Sequence, residues 1–302
     1  MKVFPFVCTH PQPELASQVA SVPWDILSTD DVRAELAERP LSFLGIDVPQ
    51  ALFGADEEPD SAQAAQAAAD LLRERLHDGT LQRDPQPCFY LYRITKDGHS
   101  QTAVVGACSV NEYAEGVIKQ HEQVREPKVA DRIAHMRACH AQASPVFAFY
   151  RDNPAVDALV MAATLAQPFI SFTDATGMRH QVWRIARKDA VEAFVAAFGT
   201  VHDAYIADGH HRAAAAARVA QQLREEQPDY AGNEPWNGFL CALFPASQVR
   251  VLPYRLDDAS NADAPAPTVE QVMEVCDAGE LMPPKSTYFD PKPASGLFVY
   301  EY

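Results

Sequence analysis

The stretch "CFYLYRITKDGHSQTAVVGACSV", Cys88 to Val110, constrains the fold more than any other. Two runs rich in aromatic and β-branched residues flank Lys96, Asp97 and Gly98, and Asp-Gly between such runs signals a tight antiparallel hairpin. "FISFTDATGMRHQVWRI" predicts a second hairpin around Asp174 to Gly177, and "PVFAFY", "AYIA", "GFLCALFP" and "VRVLPYRL" read as further strands. Helical patterns lie between them. One is capped by Asp60, with Gln63 three residues on as in a capping box and Gly79 as its stop. Others run over about 127–143, about 155–166, "KDAVEAFVAAF" and from Arg212 onward. Hairpins interspersed with helices predict an α+β architecture, a mixed sheet with packed helices rather than a purely parallel doubly wound one.

At its N-terminal end, to about Pro49, the chain reads as a turn, a short helix with Ser28 or Thr29 as N-cap, and an extended segment at "PLSFLGID". The organisation expected is a main domain over 1–256, a linker with a short helix over 257–280, and a C-terminal segment over 281–302 packing back. The linker is read from "DDASNADAPAPTVEQ", rich in Ala, Asp and Pro.

A chain of 302 residues with 47% hydrophobic residues can bury a sizeable core. Its formal net charge of -16 argues against binding a nucleic-acid backbone or an anionic membrane, since both need a positive surface. A phosphorylated small molecule needs only a few local donors. No apolar run approaches the roughly 20 residues of a membrane span, and prolines interrupt any signal-peptide core near the start. The six scattered cysteines have no metal-ligand spacing and suit reduced, mostly buried thiols in a cytoplasmic protein.

"HDAYIADGHHRAAAAARVAQQLREE" is read as a strand, a polar turn and a long helix, with Asp208, Gly209, His210, His211 and Arg212 at the seam. A helix start carries free N–H groups and the positive end of the macrodipole, so it attracts phosphate or carboxylate. Gly209 admits close backbone approach, Arg212 can fork onto phosphate oxygens, and the two histidines can donate hydrogen bonds. Asp208 can hold magnesium or orient a histidine. The same residues also suit a simple cap, with Asp208 as N-cap and the histidines exposed.

A second cluster, "VIKQHEQVREPKVADRIAHM", brings Lys119, His121, Glu122, Arg125, Lys128, Asp131 and Arg132 together in sequence. If extended, the segment puts Lys119 and His121 on one face. Glu122 beside these cations suits a general base for a hydroxyl, although a salt-bridged helix start explains the cluster as well. Near the C-terminus, "LMPPKST" holds Lys285, Ser286 and Thr287 on a proline-stiffened loop suited to an anion or a substrate carboxylate. Trp24 and Asp25 in "PWDILS" suit either a core anchor and cap or a site wall.

"PWDILS", "PLSFLGID", "IKQHE", "REPKVADRIAH", "ADGHHRAAAA", "WNGFLCALFP" and "MPPKSTYFDPKPASGL" resemble, in that order, domain-of-unknown-function family 1015. Family members usually carry a longer stretch before the terminal motif than the linker-like piece here. The Asp208–Arg212 turn is also similar to the phosphate-binding turn of the ParB/sulfiredoxin superfamily, some of whose members phosphorylate free serine. These resemblances imply a nucleotide-dependent, serine-kinase-like phosphotransferase that holds nucleotide phosphates at Asp208, Gly209, His210, His211 and Arg212. The residues themselves then suggest Glu122, His121 and Lys119 as the catalytic group, Lys285, Ser286, Thr287 and Arg125 for the acceptor, and Asp208 as the metal ligand. ATP or another nucleotide and magnesium are the expected cofactors. A small-molecule substrate is the expected partner, with a homodimer as a candidate assembly. Two other readings stand beside this one: a nucleotide-binding regulatory or partner-binding protein without turnover, and a metal-dependent hydrolase. The last suffers from spacing, because adjacent histidines on a turn do not easily ligate one ion.

Overall fold

The computed structural model describes residues 1–24, 27–252, 266–283 and 287–302. The hairpin at Asp97-Gly98 forms as its residues predict, with both turn positions at positive φ (49° and 77°) and strands Phe89–Lys96 and His99–Ser109 paired along their length. It sits inside a mixed sheet whose order from one edge is Ile118–Lys119, Ala204–Asp208, Val146–Tyr150, Gly238–Pro245, His99–Ser109, Phe89–Lys96, Arg179–Ile185 and Ile170–Thr173. Val3–Phe4 adds to His99–Ser109 off this path. Two pairings are parallel, Ala204–Asp208 with Ile118–Lys119 and Gly238–Pro245 with Val146–Tyr150, and the others are antiparallel.

Both faces of the sheet are covered, which is why Gly238–Pro245 is apolar and buried throughout. Phe239, Cys241 and Leu243 enter one core, and Leu240, Ala242 and Phe244 the other, as the two-residue strand period requires. The first core is closed by helices that include Glu126–Cys139, Lys188–Phe198 and His210–Glu226. The second is closed by helix Val269–Asp277 and by Leu297 and Phe298 of the C-terminal segment. All six cysteines are free, and all but Cys139 are buried.

Helix Ser61–His77 starts at the reciprocal cap of Asp60 and Gln63, and helix Thr29–Glu38 at an equivalent cap of Ser28 with Asp31. "PLSFLGID" departs from the extended form expected of it. Leu44–Asp47 is helical and wholly buried, because a short coil presents Phe43, Leu44 and Ile46 to the interior where an exposed strand would waste half of them. A four-stranded antiparallel sheet, in the order Leu81–Arg83, Cys8–Pro11, Val299–Glu301 and Ala141–Gln142, ties the C-terminal segment to the N-terminal one. "VRVLPYRL" forms a strand at Val251–Leu252, paired with Tyr288–Phe289, and its remainder lies outside the described residues. Among the described residues, no helix is long and apolar enough to cross a membrane.

The sheet prepares the site at the end of Ala204–Asp208. Its pairing with Val146–Tyr150 slips by one residue between Ile206 and Asp208, a bulge that ends the regular ladder just before Gly209. Gly209, at φ 96°, then turns the chain into the 17-residue helix His210–Glu226.

A candidate ligand site at the start of the Gly209 helix

A cavity of about 440 Å3 opens in front of this helix start. It is walled by residues 207–212, by Glu122, Arg125, Lys128, Asp131 and Arg132 of the second cluster, and by Thr287, Tyr288, Phe289 and Lys292 from the C-terminal segment. Three regions far apart in the chain therefore meet. Five cationic side chains face three carboxylates here, in a protein whose net charge is -16. That local reversal of sign is what an anion site requires.

Gly209 is the N-cap, and no side chain caps the helix among the described residues. Asp208, expected as a possible cap, is spoken for: its Oδ1 accepts from Lys292 Nζ at 2.9 Å and its Oδ2 from Arg212 Nη2 at 2.8 Å. Burial opposes ionisation of Asp208, but Lys292 and Arg212 outweigh it and hold the carboxyl below the usual range. Arg212 in turn donates from Nη1 to the Pro145 carbonyl at 2.5 Å. The arginine expected to fork onto phosphate thus has both amino ends engaged by protein, and it organises the turn.

The histidines are not exposed as a simple cap would leave them. His210 is 2% exposed, its Nδ1 lies 3.8 Å from Glu122 Oε2, and its Nε2 has no hydrogen-bond partner among the described residues. Burial drives it well below the ordinary imidazole value, reinforced by His121, so it is neutral at physiological pH. His121 meets it edge-to-face at 4.6 Å and is itself pushed down to about 4 by burial. His211 accepts at Nε2 from the Arg125 backbone N–H, at 3.0 Å. A ring that accepts at Nε2 carries its proton on Nδ1, so His211 is a neutral donor. Burial, with Lys128 and Arg125 nearby, lowers its pKa accordingly.

Glu122 is half-buried at the cavity wall, and burial, aided by Asp208, raises its pKa. Arg125 and Lys128 line the cavity with no carboxylate partner among the described residues. Arg132 is held by Asp131 at 2.6 Å and lies 4.8 Å from the Trp24 ring centroid, so Trp24 serves as a wall. Thr287 donates to or accepts from His121 Nε2 at 3.0 Å.

Two expectations from the sequence need amendment. Lys119 does not line the cavity: the strand holding it ends there, and its ammonium lies between Asp203 (3.1 Å) and Asp277 (2.7 Å). His121 stands behind His210, outside the cavity lining, supporting it rather than facing the space. Lys285, Ser286 and Asp25 lie outside the described residues. Lys292 was missed altogether. Its signal was available, a lysine stiffened by prolines on both sides in "DPKPA", where Lys285 has prolines on one side only.

Among the described residues, no group of three His, Cys, Asp or Glu side chains is placed to hold a metal ion. The donor set fits an anion. It does not fit a resident magnesium at Asp208, whose two oxygens each already meet a cation.

Fold and site together define a mixed α+β protein with a cationic, histidine-walled cavity at a helix start. The chain belongs to the family described as protein of unknown function (DUF1015), whose model matches residues 3–291. No curated protein and no solved structure matches the chain.

Proposed function

We propose that the protein is a small-molecule phosphotransferase that binds a nucleotide's phosphates at the start of the Gly209 helix and transfers one to an acceptor hydroxyl. One observation carries this reading: the same cavity holds a 17-residue helix start with no side-chain cap and two cations with no carboxylate partner among the described residues, beside a carboxylate with raised pKa. Phosphoryl transfer asks for positioned phosphates, countercharge and a group that orients the nucleophile. The free amides after Gly209 and the His211 Nδ1–H supply the first, and Arg125 and Lys128 the second. Glu122 supplies the third. As acceptor oxygen bonds to phosphorus and the bridging P–O bond breaks, Glu122 takes the hydroxyl proton and the nucleoside diphosphate leaves. Its raised pKa makes it a stronger base than an exposed carboxylate. Serine is the first acceptor to try, on the strength of the resemblance noted above.

The pairing of both Asp208 oxygens with Lys292 and Arg212 also supports a second reading, a nucleotide-binding protein without turnover. Incubation with ATP, magnesium and free serine, followed for ADP and phosphoserine, separates the two. Product formation abolished by Glu122→Gln supports transfer. Binding without product supports the second reading, and no nucleotide-induced thermal shift at millimolar ATP removes both.

A further inference from the structure

We propose that the cavity takes a polyphosphate as the free anion, with Arg125 and Lys128 supplying countercharge that a protein-held magnesium would otherwise supply. The inference rests on the reading above and specifies its ligand: a group carrying at least two ionised phosphates, bound without a divalent ion.

Magnesium is held by proteins through one or two carboxylates together with phosphate oxygens and waters, in strict octahedral geometry. Two of the three carboxylates in this cavity already meet cationic side chains. Asp208 gives one oxygen to Lys292 and the other to Arg212. Asp131 gives Oδ2 to both Nε and Nη2 of Arg132, at 3.0 and 2.6 Å. Glu122 remains, a single half-buried carboxylate 3.8 Å from the buried ring of His210. A dication added to walls with a cationic excess would be repelled, whereas a polyanion would be attracted.

The donors needed by a polyanion are in place. Arg125 and Lys128 are exposed where they line the cavity and have no carboxylate partner among the described residues. The helix start beside them has no side-chain cap among the described residues. The buried His210 in the same wall keeps an Nε2 with no partner among the described residues, an independent sign that those residues do not complete this site. An arginine and a lysine with several amide donors suit the branched charge of a diphosphate or triphosphate better than a single carboxylate.

The test is isothermal titration of the whole protein with ATP and with inorganic tripolyphosphate, once in EDTA and once in excess magnesium. The expected dissociation constants in EDTA lie within about threefold of those in magnesium, or are tighter, because magnesium neutralises the charge that the cavity reads. Arg125→Gln with Lys128→Gln is expected to weaken binding in EDTA about tenfold or more. Binding seen only with magnesium overturns the free-anion inference and leaves the phosphotransferase reading standing. An unchanged affinity in the double variant overturns the assigned role of Arg125 and Lys128. No binding of either probe under either condition overturns both the inference and the reading beneath it.

Discussion

The guanidinium of Arg212 lies directly over the α-carbon of Gly209, where a β-carbon would come within 3.0 Å of both Nε and Nη2. Two constraints coincide at Gly209, the φ of 96° and this close approach. Gly209→Ala is expected to lower stability by about 1–2 kcal/mol, the cost of holding a β-carbon at positive φ. The clash falls on the end of a flexible side chain, so Arg212 would shift off Asp208 and the Pro145 carbonyl, and phosphate affinity should fall too. Urea unfolding and tripolyphosphate titration check the two effects. An alanine variant of unchanged stability would show that the turn is not under this constraint.

Lys292 joins the C-terminal segment to the strand end through Asp208, and the pair is largely buried, at 12% and 24% side-chain exposure. Removing one member of a buried pair strands the other. Arg212 remains and some solvent reaches Asp208, so Lys292→Met is expected to cost about 1–3 kcal/mol at neutral pH. The folded value of Asp208 is depressed, so its contribution is present above the unfolded carboxyl value near about 3.9 and disappears as pH falls through the folded value. The stability gap between wild type and variant should therefore narrow from pH 7 toward pH 3, measured by urea titration at each. A gap that holds constant would assign the effect of Lys292 to packing.

Local signals in the sequence read correctly, and non-local ones did not. The reciprocal cap of Asp60 with Gln63 involves residues three apart, Ser28 was one of two adjacent N-cap candidates, and the Asp97-Gly98 turn is specified by its own two residues. The cavity residues 208–212 were legible as a group because strand end, glycine and helix start are contiguous. Which of them stays available to a ligand was not. Arg212 is engaged by Pro145, 67 residues away, and Asp208 by Lys292, 84 residues away. The second sheet escaped notice because its strands are two to four residues long, too short for alternation to register. Leu44–Asp47 escaped because a four-residue buried coil and a buried strand carry the same apolar run.

Lys119 offers a clean contrast with the cavity cations. Its ammonium sits between Asp203 and Asp277 and 5.6 Å from the Tyr205 ring centroid, with Arg151 also on Asp277. This partly exposed network holds helix Val269–Asp277 to the sheet. Lys119→Met should lower stability by less than about 1 kcal/mol, as such pairs ordinarily contribute. Tripolyphosphate affinity should be unchanged. Loss of affinity comparable with that of the Arg125 and Lys128 double variant would return Lys119 to the site.

For the proposed phosphotransfer, the pH dependence of turnover tests the assignment of the base. Three titratable side chains crowd one wall, and their shifts point in opposite directions. His121 is pushed down to about 4 and His210 well below the ordinary imidazole value, so both are neutral throughout the range in which turnover would be assayed. Glu122 alone is raised, first by burial and then by Asp208. A base acts when ionised, so kcat/KM for the acceptor should rise with pH through the elevated Glu122 value and then level off. In Glu122→Gln the rising limb should vanish together with most of the rate, on the order of 100-fold or more. In His210→Asn the limb should survive but move to lower pH, because opening the buried wall lets water reach Glu122 and relieves its desolvation. A limb that persists unchanged in Glu122→Gln would assign the base to another group.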